Sequence, residues 1–306
     1  MILILGSPEE VHARHVAEAL AACGQAFAYA DTRTFPQRAL LSFEPTQQSS
    51  GFWQDVHTAR RVDLSTVSAV YWRRWLGLDL PDLGDDHVNH MIYRDVESAL
   101  GSWLRCQTHC RWVNPPEAIA MHQWKAYQLQ VLSNAGIRVP DTLITNDPDA
   151  LRAFYDRHAG RVIFKPVRGG AHTEAVTEAD FSPDRLAALK QSPVQFQERI
   201  EGVDIRVMKI AETLFAGEIQ AETLDFRGDP DAPVIPVALP APVEKDCHRV
   251  ADRLGLIWTG IDCRRTPAGD YVFFEANPSP MFIGFEALSG YPVTETLLRL
   301  LTDSPV

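Results

Sequence analysis

The segment GIDCRRTPAGDYVFFEANPSP, residues 260–280, constrains the fold of this chain most strongly. Its YVFFE stretch is aromatic and β-branched, which predicts a buried strand, and TPAGD predicts a turn that closes a hairpin. Alternation along the strand places Glu275 and Asn277 on one face. An upstream strand ending near Asp262 would lie beside it, so that three oxygen ligands converge.

Oxygen ligands in this arrangement suit Mg²⁺, which also accepts phosphate oxygens from a nucleotide. For a pair of acids alone, the alternative is an edge hairpin whose carboxylates face water. The E-x-N-P sequence that ends the aromatic strand favours a metal site made of Asp262, Glu275 and Asn277.

The composition is typical of a globular protein with more than one lobe. The chain has 306 residues, of which 45% are hydrophobic, and a net charge of −11. Nucleic-acid binders usually carry a basic stripe, so that class is disfavoured. The opening MILILG is too short for a signal peptide, no apolar run could span a membrane, and five cysteines lack a disulfide spacing. We therefore expect a cytoplasmic protein with reduced thiols and without membrane or nucleic-acid partners.

The first part of the chain predicts a β-α-β order, and therefore a parallel sheet. Gly6 stands alone at the first turn, which disfavours a dinucleotide site there. The WVNPP stretch, residues 112–116, indicates a boundary between lobes. Beyond it, VQFQERI, DIRVMKI, ETLFAGEIQAET and GDYVFFE are predicted to be strands of one antiparallel sheet.

Four blocks of this sequence, in the family's order, resemble the ATP-grasp ligases. They are Lys125–Pro148, Val162–Gly170, Gln195–Val207 and a D-x-R…E-x-N-P ending at Asp262, Arg264, Glu275, Asn277 and Pro278. Within the family, VPDTLITNDP, YWRRW and DIRV look most similar to the ligases that cyclise microviridin-type graspetides. The glutamate ligases that add a tail of glutamates to a ribosomal protein resemble this sequence slightly less.

The resemblance implies an α/β fold with α+β lobes, namely an ATP-grasp fold behind a parallel-sheet pre-ATP-grasp domain. We expect residues 1–113 to form the N-terminal domain and residues 114–306 the ATP-grasp domain. The latter would divide into a central lobe, 114–192, and a C-terminal lobe, 193–306.

Two lysines are expected to neutralise ATP phosphates. Lys165 lies within VIFKPV, where a buried lysine requires a partner, and Gly169 and Gly170 would let backbone N–H groups approach phosphate. A strand-end lysine that extends to solvent is the alternative. Lys125 begins a helix, and the resemblance assigns it to the phosphates as well; its alternative is a solvated helix lysine.

The remaining assignments concern the nucleotide base, the ribose and the substrate. The segment Gln197, Glu198, Arg199 and Ile200 resembles the adenine hinge, with Glu201 or Asp204 as ribose ligands. Arg206 of DIRV would clamp the substrate carboxylate and its acyl phosphate, with Arg264 as a second catalytic arginine; a surface salt bridge is the alternative for Arg206. Arg73 and Arg74 end a strand of the parallel sheet, at the edge where ligands bind, and are expected to contact substrate.

The expected activity is ATP-dependent ligation of a carboxylate to an amine or hydroxyl through an acyl phosphate. The preferred substrate is a ribosomal peptide, and the expected cofactors are ATP and two Mg²⁺ ions, with Mn²⁺ as a substitute. One alternative adds an amino acid to a protein or small-metabolite carboxylate. Another, of a different class, is a nucleotide-binding module without turnover. A homodimer is left open.

Overall fold

The structure, a computed structural model, describes residues 1–47, 50–168, 173–221, 229 and 232–302. It divides into two compact units. The first contains Met1–Pro116 together with the closing helix Val293–Thr302, and the second is Glu117–Tyr291. The prediction had included the closing helix in the ATP-grasp part.

A parallel sheet organises the first unit, as the β-α-β pattern predicted. Its elements are β1 (Ile2–Leu5), α1 (Val11–Ala22), β2 (Phe27–Ala30), β3 (Ala39–Ser42), β4 (Phe52–Asp55), β5 (Arg61–Asp63), β6 (Ala69–Trp72), α2 (Asp86–Cys106) and β7 (Arg111–Val113). Strands β2, β1, β6 and β7 are parallel neighbours in that order. All residues of β1 and β6 are buried, as expected for parallel strands covered on both faces.

A small antiparallel sheet of β3, β4 and β5 also lies in the first unit, and the sequence interpretation did not anticipate it. Its strands have three or four residues each. Such short stretches show too few alternations for the pattern to identify a strand.

The start of α1 is tied to the end of β6 by a buried ion pair. Glu10 caps α1, accepting from the Ala13 N–H at 2.7 Å. Its two carboxylate oxygens also accept from Arg73 Nε and Nη2, both at 3.0 Å. Burial raises the pKa of Glu10, but Arg73 and the Ala13 N–H outweigh it, so the pKa is lowered overall. The ionised carboxylate therefore stabilises the folded chain.

Replacing Glu10 by glutamine is expected to lower the free energy of unfolding at pH 7 by about 2 kcal/mol, because a charged hydrogen bond to buried Arg73 is lost. Since the folded-state pKa is lowered, this contribution is present above the ordinary value of 4.5 and is lost as pH falls through the folded-state pKa. Urea unfolding at several pH values measures it. Glu18→Gln, at an exposed pair on the same helix, is the control; an equal loss there, or a loss independent of pH, would contradict the prediction.

The second unit contains two antiparallel sheets. Its elements are α3 (Pro116–His122), α4 (Lys125–Asn134), β8 (Thr142–Thr145), α5 (Pro148–Arg157), β9 (Val162–Lys165), β10 (Glu174–Ala175), α6 (Pro183–Leu189), β11 (Val194–Glu198), β12 (Val203–Ile210), β13 (Thr213–Ile219), β14 (Val234–Pro236), α7 (Ala241–Leu254), β15 (Trp258–Arg265), β16 (Tyr271–Asn277) and α8 (Ile283–Ser289).

The single antiparallel sheet predicted from β11, β12, β13 and β16 is wrong. Strand β11 pairs with β9 and β8 in a smaller sheet, ordered β10-β9-β11-β8, whereas the larger sheet is ordered β14-β13-β12-β15-β16 among the described residues. The chain changes sheets at Arg199–Gly202, where Gly202 has φ of 139° and Arg265 O leaves no room for a Cβ. Only glycine fits this crossing.

Each sheet buries one face and turns the other away from its core. In the larger sheet, buried residues Ile205, Val207, Ile261, Phe273 and Ala276 pack in one cluster with residues of α7. In the smaller sheet, Phe164 and Phe196 pack with α5 and α6 residues. Alternation then places the polar residues between these positions on the opposite faces.

No helix among the described residues is long and apolar enough to cross a membrane.

Candidate active site

A row of charged side chains crosses three neighbouring strands of the larger sheet. Arg206 on β12 lies opposite Asp262 on β15, and Asp262 lies opposite Glu275 on β16. Residues directly opposite each other point to the same face of a sheet. These three side chains therefore lie next to one another, although Arg206 and Asp262 are 56 residues apart in the chain.

The pairing of Asp262 with Glu275 depends on a one-residue shift in register. On the turn side of the hairpin, Cys263 lies opposite Phe273, and the next pair is Asp262 with Glu275. Phe274 is thus an additional residue on β16, a β-bulge. If the register did not shift, Asp262 would lie opposite Phe274 instead of Glu275.

Each acid has its own cation. Arg206 Nη1 donates to Asp262 Oδ1 at 2.6 Å and Oδ2 at 2.7 Å, and Lys125 Nζ lies 2.6 Å from Glu275 Oε2. Lys125 reaches Glu275 from the first position of α4. A Cβ on Gly260 would lie 2.8 Å from Arg206 Nη2, so glycine at that position leaves space for the guanidinium.

Burial and charge act in opposite directions on the two acids. Burial raises the pKa of Glu275, but Lys125, together with Lys165 and His122, lowers it to about 2. The pKa of Asp262 is raised, first by burial and then by the Glu275 charge, in spite of Arg206. The neighbouring carboxylates of Asp262 and Glu275 therefore repel each other, and a bound cation would reduce this repulsion.

The donor set fits a hard cation. No cluster of three His, Cys, Asp or Glu side chains suited to a metal occurs in the described part of the chain, so any site here combines two acids with an amide. Asn277 shares the strand with Glu275, two residues on, and its Oδ1 accepts from the Ser279 N–H at 2.9 Å. Carboxylate and amide oxygens are ligands that Mg²⁺ accepts.

Lys165 ends β9 on the open face of the smaller sheet. It lies opposite Gln195, whereas the adjacent pair, Phe164 with Phe196, points into the core. The Lys165 charge also lowers the pKa of Glu275. This places it among the charged groups of the site. The predicted phosphate contacts at Gly169 and Gly170 lie outside the described residues.

The predicted hinge occupies the end of β11 and the crossing to β12. Gln197 is buried and donates to Thr142 Oγ1 at 3.0 Å, and Glu198 Oε1 accepts from the Asp141 N–H at 2.9 Å. A cavity of 650 Å³ lies beside this crossing and is lined on that side by Arg199, Ile200, Glu201, Gly202, Val203 and Asp204. Its size is that of a small-molecule site.

Arg264 and Asp204 form a second cross-strand pair. Arg264 Nε donates to Asp204 Oδ1 at 2.9 Å and Nη2 to Oδ2 at 2.8 Å, while Nη1 donates to the Ile200 carbonyl at 2.9 Å. In this structure the Arg264 fork therefore fixes the crossing beside the cavity. Of the two acids considered for ribose, Glu201 is exposed and Asp204 is held by Arg264.

The two arginines of YWRRW differ in their surroundings. Arg73 is 8% exposed and its fork is bound to Glu10. Arg74 is exposed. An exposed guanidinium at the carboxyl end of a parallel strand is better suited to contact a substrate than a buried, paired one.

Sequence reasoning missed Gln128 on α4. It is buried and hydrogen-bonds the backbone of Ala276, between Glu275 and Asn277. Its only sequence signal is a polar residue three positions after Lys125, where a helix places two side chains on one face.

Comparison with known proteins relates nearly the whole chain to a ligase and a macrocyclase that were solved with their precursors. No family model matches the sequence. The structure of the ATP-grasp ligase PsnB complexed with minimal precursor has a TM-score of 0.83 and 31% identity, covering 98% of this chain and 97% of that one. The macrocyclase MdnC bound with precursor peptide MdnA from Microcystis aeruginosa MRC has a TM-score of 0.85 and 25% identity, covering 99% of both chains.

Curated relatives match a shorter stretch. A probable alpha-L-glutamate ligase of Pseudomonas fluorescens (strain Pf0-1) is 29% identical over 204 residues, which cover 62% of this chain and 66% of that protein. The alpha-aminoadipate–LysW ligase LysX of Sulfurisphaera tokodaii is 23% identical over 203 residues, 62% of this chain and 71% of that protein.

The fold and the similarity along nearly the whole chain thus define an ATP-dependent ligase. This chain belongs to the ATP-grasp ligases. The predicted fold class, an ATP-grasp fold with a parallel-sheet N-terminal part, is confirmed.

Proposed function

We propose that this enzyme activates a side-chain carboxylate of a peptide with ATP and joins it to a hydroxyl or amine of the same peptide. The observation that carries the proposal is the row of Arg206, Asp262, Glu275 and Lys125, in which two neighbouring acids on one sheet face lie between two cations. Such a row suits phosphoryl transfer, because this chemistry depends on positioning and charge neutralisation.

ATP and two Mg²⁺ ions, with Mn²⁺ as a substitute, are part of this proposal. Asp262, Glu275 and Asn277 would hold the metal, which neutralises charge on the phosphates when bound. Lys125 would exchange its contact with Glu275 for a phosphate oxygen, and Lys165 would contribute a second positive charge. The cavity beside Arg199–Asp204 would receive the nucleoside, with Gln197 and Glu198 shaping the hinge.

The reaction has two steps. A substrate carboxylate oxygen attacks the γ-phosphorus, the bond to the β-phosphate breaks, and ADP leaves. A hydroxyl or amine then attacks the acyl carbon, its proton passes to solvent, and phosphate leaves. Arg206 lies next to the acids proposed to bind metal and would stabilise the charge that develops on the acyl phosphate. Arg264 would hold the strand crossing beside the cavity in place through Asp204.

The peptide substrate is supported by similarity along the full chain. PsnB was solved with its minimal precursor and MdnC with its precursor peptide. The matches cover 98% and 99% of this chain, respectively, and 97% and 99% of those proteins. Arg74 is the exposed arginine of YWRRW, and we assign it to substrate contact, with Arg73 holding the strand end through Glu10.

The test is a reaction of the purified chain with ATP, Mg²⁺ and peptides that combine Asp or Glu with Thr, Ser or Lys. We expect ADP release and a peptide that is lighter by one water for each bond, detected by mass spectrometry. Hydroxylamine treatment separates ester from amide products. ADP formation that does not depend on any peptide or other acceptor, or nucleotide binding without turnover, would overturn the proposal.

A second candidate is the addition of an amino acid to a peptide or metabolite carboxylate. The matched segments of the curated relatives favour it, since several are glutamate ligases. In the same assay supplied with free glutamate, that activity would make the acceptor heavier rather than lighter.

Replacing Lys165 by methionine is expected to weaken binding of a non-hydrolysable ATP analogue by about 2 kcal/mol, because a charged contact to phosphate is lost. Calorimetry measures the change. Lys190→Met is the control, since Lys190 is exposed at the end of α6. An unchanged affinity in Lys165→Met would contradict the phosphate contact and favour the alternative, a strand-end lysine that extends to solvent.

A further inference from the structure

Gln128 makes a two-point contact with the strand that carries two of the candidate metal ligands. It lies on α4, three residues after Lys125, and is 2% exposed. Its Nε2 donates to the Ala276 carbonyl at 3.0 Å, and its Oε1 accepts from the Ala276 N–H at 2.9 Å. The amide thus satisfies both polar groups of one backbone residue.

The position of Ala276 makes this contact significant. Ala276 stands between Glu275 and Asn277, and in the described part of the chain β16 is the last strand of the larger sheet. An edge strand leaves backbone groups without a neighbouring strand. Gln128 takes the place of that neighbour at Ala276, while the Ala276 side chain is buried in the core cluster.

Lys125 adds a contact from the same helix to the same strand. Its Nζ meets Glu275 at 2.6 Å, and residues three apart lie on one helix face. Lys125 contacts the Glu275 carboxylate, which would bind metal in the proposed reaction, whereas Gln128 contacts only the Ala276 backbone. Gln128 can therefore hold β16 in place when Lys125 moves to phosphate.

We infer that Gln128 is a positioning residue that fixes the backbone between Glu275 and Asn277 and so sets the geometry of the metal site. The inference rests on the proposed function, since it assigns metal binding to those two residues. Ligand oxygens must be held closely for Mg²⁺, which demands near-ideal octahedral geometry, and groups that orient metal ligands commonly affect metal affinity by 10- to 100-fold.

The residue type supports this role. A primary amide offers a donor and an acceptor side by side, whereas a carboxylate offers acceptors alone and an aliphatic chain offers neither. Gln128→Glu would keep an acceptor for the Ala276 N–H and lose the donor to its carbonyl. Gln128→Met would keep a similar volume and remove both the donor to the Ala276 carbonyl and the acceptor for the Ala276 N–H.

The experiment compares these two variants with the unmodified chain in two measurements. Hydrogen exchange of the peptide covering 271–277 is measured on the metal-free, nucleotide-free protein. The Mg²⁺ concentration for half-maximal ADP release is measured at saturating ATP and peptide. Gln130→Met is the matched control, because Gln130 is an exposed glutamine on the same helix. Leu132→Ala, in the buried core of α4, is the control for lost stability alone.

We expect exchange in 271–277 to accelerate at least tenfold in Gln128→Met, and the Mg²⁺ requirement to rise about tenfold, with smaller changes in Gln128→Glu. Gln130→Met should match the unmodified chain, and Leu132→Ala should lower the melting temperature without raising the Mg²⁺ requirement.

If Gln128→Met does not fold, Gln128→Glu decides the question. Unchanged exchange and Mg²⁺ requirement in the folded Gln128 variant, or an equal rise in Leu132→Ala, overturns the inference. If the unmodified chain turns over without Mg²⁺, the proposed metal site is wrong, and this outcome is distinct because the exchange measurement involves no metal.

Discussion

Replacing Glu275 by glutamine is expected to reduce ADP formation about 1,000-fold. In the proposed site Glu275 supplies a charged metal ligand, and a catalytic metal contributes several kcal/mol of transition-state stabilisation, where each 1.4 kcal/mol is about tenfold in rate. The amide keeps the shape of the side chain and can still accept a hydrogen bond from Lys125. Coupled ADP release at saturating Mg²⁺ measures the loss.

The fold should survive this change, because Glu275 is only half-buried and does not belong to the hydrophobic cluster on the other face of the sheet. Melting curves check this. Asp270→Asn is the matched control, since Asp270 is an exposed acid near the turn of the same hairpin, paired with Arg138. Asn277→Ala should behave like Glu275→Gln. Normal turnover in both variants at saturating Mg²⁺ would remove these residues from the site.

Replacing Arg206 by lysine is expected to lower the single-turnover rate by 10-fold to 100-fold while ATP affinity changes little. Lysine keeps the charge but has no planar fork, so it cannot hold Asp262 and an acyl phosphate with the same geometry. A loss of this size corresponds to about 1.4 to 2.8 kcal/mol. Rapid-quench kinetics and calorimetry on this one variant measure the two quantities separately.

Arg265→Lys is the control for Arg206→Lys. Arg265 lies on the neighbouring strand β15 and is also paired with an acid, Glu218, at 2.6 Å, but it has no assigned role in catalysis. It should retain the rate of the unmodified chain. A collapse of ATP affinity in Arg206→Lys would instead make Arg206 a nucleotide contact, and the assignment to the acyl phosphate would then fail.

The parts of the fold that sequence could predict are those with a local cause. Helix α5 starts at Pro148, directly after Asp147, whose side chain accepts from the Asp149 N–H; an aspartate followed by proline is a local signal for a helix start. The β15–β16 hairpin closes at TPAGD, and Asp262 meets Glu275 as expected. In each case the signal and the structure lie within a few residues of one another.

The parts that it missed depend on partners distant in sequence. Strand β11 has the alternation of a β-strand, but alternation does not specify which strand it joins. Arg206 was assigned to the substrate carboxylate, but the sequence did not predict that its Nη1 also donates to Asp262, 56 residues away. Gln128 meets Ala276 across 148 residues. Propensity and periodicity contain no information on such pairings, since the pairings are set by how elements pack.

The additional residue at Phe274 has a consequence for how this hairpin can change over time. Because the bulge sets which residues face each other, the turn between Arg265 and Tyr271 can gain or lose residues without moving Glu275 away from Asp262. A change that straightened the bulge is different, because Phe274 would then lie opposite Asp262 and the Glu275 carboxylate would turn toward the core. We therefore expect relatives of this enzyme to vary in turn length but to keep a bulge directly before the acid.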